Sequence, residues 1–203
     1  MSLVSGFNRL VTFQLTKEIA MSRLAIPALD DAPEASKPIL AAVKAQLGVV
    51  PNMFRLFSSS PAALKGLTSL SIALTESLDL KSRERIALAV AEVNGCSYCL
   101  SAHTFLGLNL AKISPEEIAL NRKGSSSDPK ADAAVRFATK VAETRGHVSD
   151  EDLAAVRKAG YSDAQVLEIV ALVVENVFTN FVNEVAKTDI DFPVVQVNDL
   201  KAA

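Results

Sequence analysis

The sequence predicts an all-α fold, and three observations support this. Glycine and proline number only eight each among 203 residues, and tryptophan is absent, a composition that favours helices over a β-sandwich. Apolar residues recur at helical spacing between clear start and stop residues. Strand-like alternation is not convincing anywhere. Only residues 192–197 have a β-like composition, and Pro193 restricts them to an edge strand or an extended tail.

The first helices are predicted from proline starts, apolar spacing and glycine stops. They are expected over 33–47, 61–78 and 81–94 and from about 96, with a turn at 51–54. Gly95 follows the third of these segments, and glycine tolerates the left-handed conformation that ends helices. The leucines of 61–78 give that helix an apolar side, so it is expected in the core.

Four more helices are predicted in the second half by the same kinds of signal. Ser114, Pro115 and two glutamates open one helix, and Ser149 with three acidic residues opens another that stops at Gly160. The other two are expected over 129–145 and 162–187, after a loop at 124–128. A helical bundle of this kind specifies no function by itself.

Length, charge and hydropathy bound the organisation of the chain and its partners. One domain is expected over 21–203, and residues 1–20 are expected to form a frayed N-terminal arm. The formal net charge of −2 gives no electrostatic reason to bind nucleic acid. The most apolar run, 166–185, is interrupted by three glutamates and three asparagines, so no membrane span is expected. The start of the chain makes a poor signal peptide, and a cytoplasmic location is expected.

The only two cysteines of the chain lie close to one of its two histidines. Cys96, Cys99 and His103 are separated by three and four residues, which places their side chains on one face of a helix. A helix N-terminus and a neighbouring imidazole both favour the thiolate form of a cysteine. The motif therefore indicates chemistry rather than packing, and spacing alone leaves open which cysteine is the first nucleophile.

Other uses of a cysteine pair fit this sequence less well. A structural zinc site needs four ligands, and the chain adds only His147 and carboxylates. Covalent haem attachment needs a histidine directly after the second cysteine, where Leu100 stands. A thioredoxin-type fold needs strands around the motif. What remains is a redox dithiol, in which one thiolate attacks a peroxide oxygen and the resulting sulfenic acid condenses with the other cysteine.

Two glutamates that precede the cysteines are candidates for moving protons. Glu84 lies between two arginines and Glu92 lies near the end of the same predicted helix, and spacing alone does not choose between them. In the last long helix, Asn176, Asn180 and Asn183 follow one face. Because buried amides must be paired, this stripe is expected at a subunit or helix seam, and a place in the active-site pocket, for Asn180 in particular, is the alternative.

The four residues Glu84, Cys96, Cys99 and His103, with EVNGCSYCLSAH around the cysteines, form a recognisable signature. It resembles that of the alkylhydroperoxidase D (AhpD)-like proteins of the carboxymuconolactone decarboxylase superfamily, in particular their peroxidase-related branch. The four positions match in type and spacing, and the resemblance runs from about 21 to 197. It implies an all-helical bundle of two similar halves and an obligate homo-oligomer, a trimer or a hexamer.

The resemblance also implies a role for each residue of the signature. Cys99 would be the peroxidatic thiol and Cys96 its resolving partner. His103 would withdraw the proton of the peroxidatic thiol, and Glu84 would end the proton relay. Tyr98 stands where the best-known members have a histidine. It is expected either to supply a hydroxyl to the pocket or to pack against the helix start.

The function that the resemblance implies is the reduction of hydroperoxides by the dithiol. No metal, haem or flavin is expected, and an external dithiol on a partner protein, such as a dihydrolipoyl group, is the expected electron donor. Two alternatives stay open: a decarboxylase of the lactone type, and a non-catalytic oligomeric module that senses redox state. Turnover with peroxide and a dithiol separates an enzyme from a sensor, which oxidises once and stops. Cytosolic thiols are kept reduced, so a dithiol is expected in the cell.

Overall fold

A computed structural model describes residues 22–199, and within that range the chain is all-helical, as predicted, with no strand. The helices are α1 (Lys37–Leu47), α2 (Asn52–Ser58), α3 (Pro61–Thr75), α4 (Leu80–Val93), α5 (Ser97–Asn109), α6 (Pro115–Arg122), α7 (Pro129–Thr144), α8 (Asp150–Lys158) and α9 (Asp163–Ala186). The expected N-terminal arm, residues 1–20, lies outside the described residues. Residues 192–197 form no strand: a bend at 192–193 precedes three residues without regular structure, and a turn begins at 197.

Side-chain caps explain why most helix starts were predictable. Six helices begin after a serine or aspartate whose side chain accepts a hydrogen bond from the backbone N–H of the third helical residue. These cap residues are Ser60, Asp79, Ser114, Asp128, Ser149 and Ser162. In α8 and α9 the third residue also bonds back to the cap, which completes a capping box.

Two local predictions in the first half are wrong. Residues 51–54, predicted as a turn, begin α2, and Pro51 is its N-cap. The first helix starts at Lys37 rather than at residue 33, because the chain before it forms turns and the Ser36 hydroxyl donates to the carbonyl of Ser58 at 2.8 Å. A seven-residue helix is marginal by itself. Burial of Phe57 holds α2 in place, and that is a tertiary effect.

Helix α4 is the centre of the bundle and packs against α5, α6, α7 and α9. Its Ile86, Leu88 and Val90 are completely buried. One apolar cluster fills the space between α4, α7 and α9, and a second surrounds the start of α5 and contains both cysteines. The cysteine pair therefore lies inside the packed core.

Helix α9 is long and apolar enough to cross a membrane by length and composition. One such helix is weak evidence for a span, because the core helix of a globular bundle passes the same test. Here α9 packs on α3, α4, α5, α7 and α8 and buries three asparagines. A further face of α9 exposes five large apolar side chains, which we call the α9 stripe: Leu167, Val174, Phe178, Phe181 and Val185.

Candidate active site

The link between α4 and α5 sets the position of both cysteines. Gly95 has φ +72°, a left-handed conformation that L side chains rarely adopt, and this lets the chain turn sharply into α5. Cys96 is the N-cap of α5, and its sulfur accepts a hydrogen bond from the N–H of Cys99 at 3.2 Å. Both cysteines are free and buried. The two sulfurs thus share the N-terminal turn of one helix, where the helix dipole favours negative charge.

Cys99 lies in surroundings that favour its thiolate. The Asn183 Nδ2 donates to the Cys99 sulfur at 3.3 Å. Burial raises the pKa of Cys99, but the hydrogen bond from Cys96 and the charge of His103 lower it. The neighbouring amides of Asn183 and Asn180 lower it further, and the pKa of Cys99 is below its ordinary value.

Cys96 is the opposite case. The hydrogen bond to Cys99, burial and the negative charge of the neighbouring thiolate together raise the pKa of Cys96 far above that of an ordinary thiol. The thiolate is the nucleophilic form of cysteine. The environment therefore distinguishes two side chains that sequence spacing could not, because it lowers the pKa of Cys99 and raises that of Cys96.

His103 lies one turn after Cys99 on α5 and is paired with a carboxylate from α4. Its Nδ1 is 2.9 Å from Glu84 Oε2, and the side chains are 23% and 9% exposed. Burial lowers the pKa of His103, but the charge and the hydrogen bond of Glu84 raise it, and the pKa lies above its ordinary value. With Nδ1 held by the carboxylate, Nε2 is the nitrogen left to exchange protons.

The second candidate acid, Glu92, lies in a different environment. Its Oε2 accepts from Arg122 Nε at 2.9 Å, and its Oε1 accepts from the Asn198 N–H at 2.7 Å. Arg122 also donates to the Gln196 carbonyl at 3.0 Å. Of the two glutamates that the sequence could not separate, Glu84 contacts His103, whereas Glu92 holds the C-terminal segment.

That segment, residues 189–198, lies across the first turn of α5, and we call it the C-terminal strap. The Val195 N–H donates to the Ser101 hydroxyl at 2.9 Å, and the Ser97 hydroxyl donates to Gln196 at 3.3 Å. Val195 is packed in the same apolar cluster as both cysteines. The strap therefore packs against the helix turn that carries the cysteines, a contact that its sequence did not predict.

Tyr98, the second of the two residues between the cysteines, binds the strap. Its hydroxyl donates to Asp191 Oδ1 at 2.8 Å and accepts from the Met53 N–H at 3.0 Å. Its ring packs edge-on against Phe192 with a centroid distance of 5.9 Å. The Tyr98 hydroxyl therefore forms hydrogen bonds to the strap and to α2, and its ring packs against the strap. Asp191 belongs to no sequence motif and was not among the predicted site residues.

The asparagines of α9 divide into three environments. Asn176 Nδ2 donates to the Leu172 carbonyl of its own helix at 2.9 Å. Asn180 Oδ1 accepts from Asn94 Nδ2 at the end of α4, at 2.8 Å. Asn183, as described above, contacts Cys99. The three asparagines therefore lie at a seam between helices of this chain, and one of them also contacts the Cys99 sulfur. Within residues 22–199, no group of three or more His, Cys, Asp or Glu side chains is placed to hold a metal ion.

Part of the chain matches a known protein family. Residues 61–144, which include all of α4 and α5, match the model of the carboxymuconolactone decarboxylase family. A search of curated proteins finds no match to the chain.

Several solved structures share the fold. A peroxidase-related protein from Ralstonia eutropha JMP134, described as an alkylhydroperoxidase AhpD core, has a TM-score of 0.74 and 24% identity, over 84% of this chain and 93% of that one. A peroxidase-related protein from Silicibacter sp. TM1040 has a TM-score of 0.73 and 22% identity, over 86% and 94%. The debrominase Bmp8, in complex with 2,3,4-tribromopyrrole, has a TM-score of 0.69 and 18% identity, over 86% and 93%.

Proposed function

We propose that this chain, whose residues 61–144 match the carboxymuconolactone decarboxylase family and which shares the fold of two peroxidase-related proteins, is a thiol-dependent peroxidase acting on hydroperoxides. The observation that carries the proposal is the buried Cys99, whose pKa is lowered by Cys96 and His103 against the effect of burial. Glu84 holds His103 at 2.9 Å in the orientation that a proton relay needs. Reduction of a hydroperoxide by a dithiol needs an activated thiol, a second thiol that resolves the sulfenic acid and a group that carries the proton.

The first step transfers one oxygen atom to sulfur. The Cys99 thiolate attacks the terminal oxygen of the hydroperoxide, an S–O bond forms, and the O–O bond breaks with its electron pair going to the leaving oxygen. His103, which took the proton of Cys99, returns it to that oxygen, and an alcohol leaves. Glu84 stabilises the imidazolium between these two transfers. The products are the sulfenic acid of Cys99 and the alcohol.

The second step forms the disulfide. The Cys96 sulfur attacks the sulfenic sulfur of Cys99, and the hydroxyl leaves as water with the proton of Cys96. The N-cap position of Cys96, within 3.2 Å of the Cys99 N–H, supports this assignment because both sulfurs belong to one turn. An external dithiol, such as a dihydrolipoyl group carried by a partner protein, then reduces the disulfide. We place this cycle in the cytoplasm, where thiols are kept reduced.

We further propose that the protein works as a homo-oligomer, a trimer or a hexamer. The support comes from the α9 stripe, whose five apolar side chains recur at helical spacing and are 40–70% exposed. Contiguous exposed apolar surface of this kind marks interaction sites. A second copy of the chain would cover it.

A thiol titration tests the peroxidase. Reduced wild-type protein is treated with one equivalent of cumene hydroperoxide, and free thiols are counted over time beside Cys99→Ser and Cys96→Ser variants. We expect the wild type to lose two thiols rapidly and the Cys99→Ser variant to keep its remaining thiol. The Cys96→Ser variant should accumulate a sulfenic acid that dimedone traps. Survival of both wild-type thiols contradicts the proposal.

Two further arms address the competing functions. Repeated consumption of hydroperoxide with dihydrolipoamide distinguishes an enzyme from a redox sensor, which reacts once. The fold also serves the debrominase Bmp8, so 2,3,4-tribromopyrrole is included as a competing oxidant of the dithiol. Thiol loss with the bromopyrrole but not with hydroperoxide replaces the peroxidase proposal by dehalogenation. Carboxymuconolactone turnover in the absence of thiol loss supports the decarboxylase alternative.

A further inference from the structure

Two buried side-chain amides of α9 lie beside Cys99, and each has one polar atom without a hydrogen-bond partner. Asn180 is 0% exposed and Asn183 is 2% exposed. Asn183 donates from Nδ2 to the Cys99 sulfur, and Asn180 accepts at Oδ1 from Asn94. The remaining atoms, Asn180 Nδ2 and Asn183 Oδ1, are buried and have no hydrogen-bond partner among residues 22–199. A buried polar atom without a hydrogen-bond partner lowers the stability of the folded protein, so its presence needs an explanation.

The chemistry of the thiolate fixes which atoms are free. A thiolate accepts hydrogen bonds, so Asn183 must turn its N–H side to Cys99, which leaves its Oδ1 as a free acceptor. The Asn180 amide also interacts favourably with the Cys99 thiolate, so its N–H side lies toward the sulfur, although no hydrogen bond of full geometry forms. Its Nδ2 is therefore a free donor. One donor and one acceptor thus flank the reactive sulfur.

A neighbouring residue shows that α9 can satisfy a buried asparagine. Asn176, one turn before Asn180, is 4% exposed, and its Nδ2 donates to the Leu172 carbonyl of the same helix. Asn180 and Asn183 do not use their own helix in this way. They keep one atom each unpaired, and both amides interact with the Cys99 sulfur.

We propose that Asn180 and Asn183 form an oxygen-binding subsite for the hydroperoxide group. The inference rests on the proposed peroxidase function and assigns it two further catalytic residues. A hydroperoxide carries one O–H donor and an adjacent acceptor oxygen, which complement the two free amide atoms. Asn183 Oδ1 accepts from the hydroperoxide O–H, and Asn180 Nδ2 donates to the oxygen that leaves.

The donor of Asn180 contributes most in the transition state. As the S–O bond forms, the electron pair of the O–O bond moves to the leaving oxygen, which becomes negatively charged before His103 protonates it. A buried N–H that is already directed at this oxygen needs no reorganisation, and its hydrogen bond strengthens as the charge develops. Asn180 therefore accelerates oxygen transfer specifically, whereas Asn183 also stabilises the thiolate in the resting protein.

The test compares two reactions of the same thiol. The rate of reduced protein with cumene hydroperoxide needs the oxygen subsite, whereas the rate of alkylation by iodoacetamide needs only the thiolate and access to it. The readout is the ratio of the two rates. We expect Asn180→Leu to lower this ratio about 100-fold, the typical effect of losing one donor to a developing oxyanion. The matched control is Asn176→Leu, which changes the same residue type one turn away and should leave the ratio unchanged.

A second variant guards against a folding defect. Asn180→Asp keeps the oxygen that accepts from Asn94 and removes the N–H, so it should lower the same ratio even though its charge also slows alkylation. An unchanged ratio in folded Asn180→Leu or Asn180→Asp overturns the subsite, as does an equal loss in both reactions. If wild-type protein alkylates at Cys99 but ignores hydroperoxide, the peroxidase proposal itself fails and the subsite fails with it.

Discussion

Activation of Cys99 depends on individual charges within a few side chains of its sulfur. Burial raises the pKa of this cysteine, and for Cys96 burial acts together with the hydrogen bond and the charge of Cys99. The charge of His103, which Glu84 maintains, is among the effects that lower the pKa of Cys99. Because the charge of one imidazole contributes to this effect, the pH dependence of the Cys99 thiol is a direct measure of that contribution.

Replacing His103 by glutamine should shift that pH dependence upward. Cys99 is an acid with a lowered pKa, so its reactivity appears as the pH rises through that pKa. Loss of the positive charge raises the pKa, and about one pKa unit corresponds to a tenfold lower thiolate population at a pH below both values. The measurement is the iodoacetamide alkylation rate of Cys99 as a function of pH.

The chain offers a matched control, because its only other histidine, His147, is exposed. His147→Gln should reproduce the wild-type profile. A His103→Gln profile that coincides with the wild type would show that His103 does not activate the thiol.

At the scale of elements, the C-terminal strap is held by side chains of the cysteine turn itself. Ser97, Tyr98 and Ser101 all bind it. The tyrosine differs from the two serines because its hydroxyl joins the strap at Asp191 to the start of α2 at Met53. Loss of these contacts would free the strap from the helix turn that carries the cysteines.

Tyr98→Phe should loosen the strap without unfolding the bundle. Removal of the hydroxyl leaves the Met53 N–H and the Asp191 carboxylate each without one partner, and we expect a loss of about 1–2 kcal/mol in the free energy of unfolding. Hydrogen exchange of the backbone amides in 190–199 should become faster. Urea unfolding and exchange mass spectrometry measure the two effects.

The only other tyrosine, Tyr161, is the matched control. Its hydroxyl makes a single hydrogen bond, to the Lys130 carbonyl at 3.3 Å, far from the strap. Tyr161→Phe should leave exchange in 190–199 unchanged. Equal exchange rates in wild type and Tyr98→Phe would refute the role of this hydroxyl as a fastening.

At the scale of the whole molecule, the α9 stripe is the feature that the single chain does not explain. Val174, Phe181 and Val185 are 55–66% exposed on the longest described helix. The same helix carries Asn180 and Asn183 on its buried side, so α9 would connect a subunit interface to the reactive sulfur. Assembly and catalysis are therefore expected to depend on one element.

Phe181→Glu should dissociate the proposed oligomer. A carboxylate cannot be buried in an apolar interface without a partner, so the substitution penalises association strongly while costing little in the monomer. Light scattering coupled to size exclusion gives the mass directly. Leu110→Glu is the control, because Leu110 is similarly exposed, at 53%, but ends α5 away from the stripe. A monomeric wild type, or an unchanged mass of Phe181→Glu, contradicts the proposed assembly.

The sequence by itself determined the helical class, most helix starts and the shared helix face of Cys96, Cys99 and His103, and the family resemblance added Glu84. These depend on short-range relations. A serine or aspartate caps a helix three residues ahead, and residues three or four apart share a helix face. The resemblance to a known family rested on the same local spacing, and for this reason it could be read without coordinates.

Only the tertiary structure showed which glutamate contacts His103, which cysteine has the lowered pKa and what Tyr98 binds. Asn183 meets Cys99 across 84 residues, and Asp191 meets Tyr98 across 93. Such contacts depend on how helices and the strap pack, and no local pattern encodes them. The pKa values of the two thiols follow from the same packing, because burial and neighbouring charges act through space.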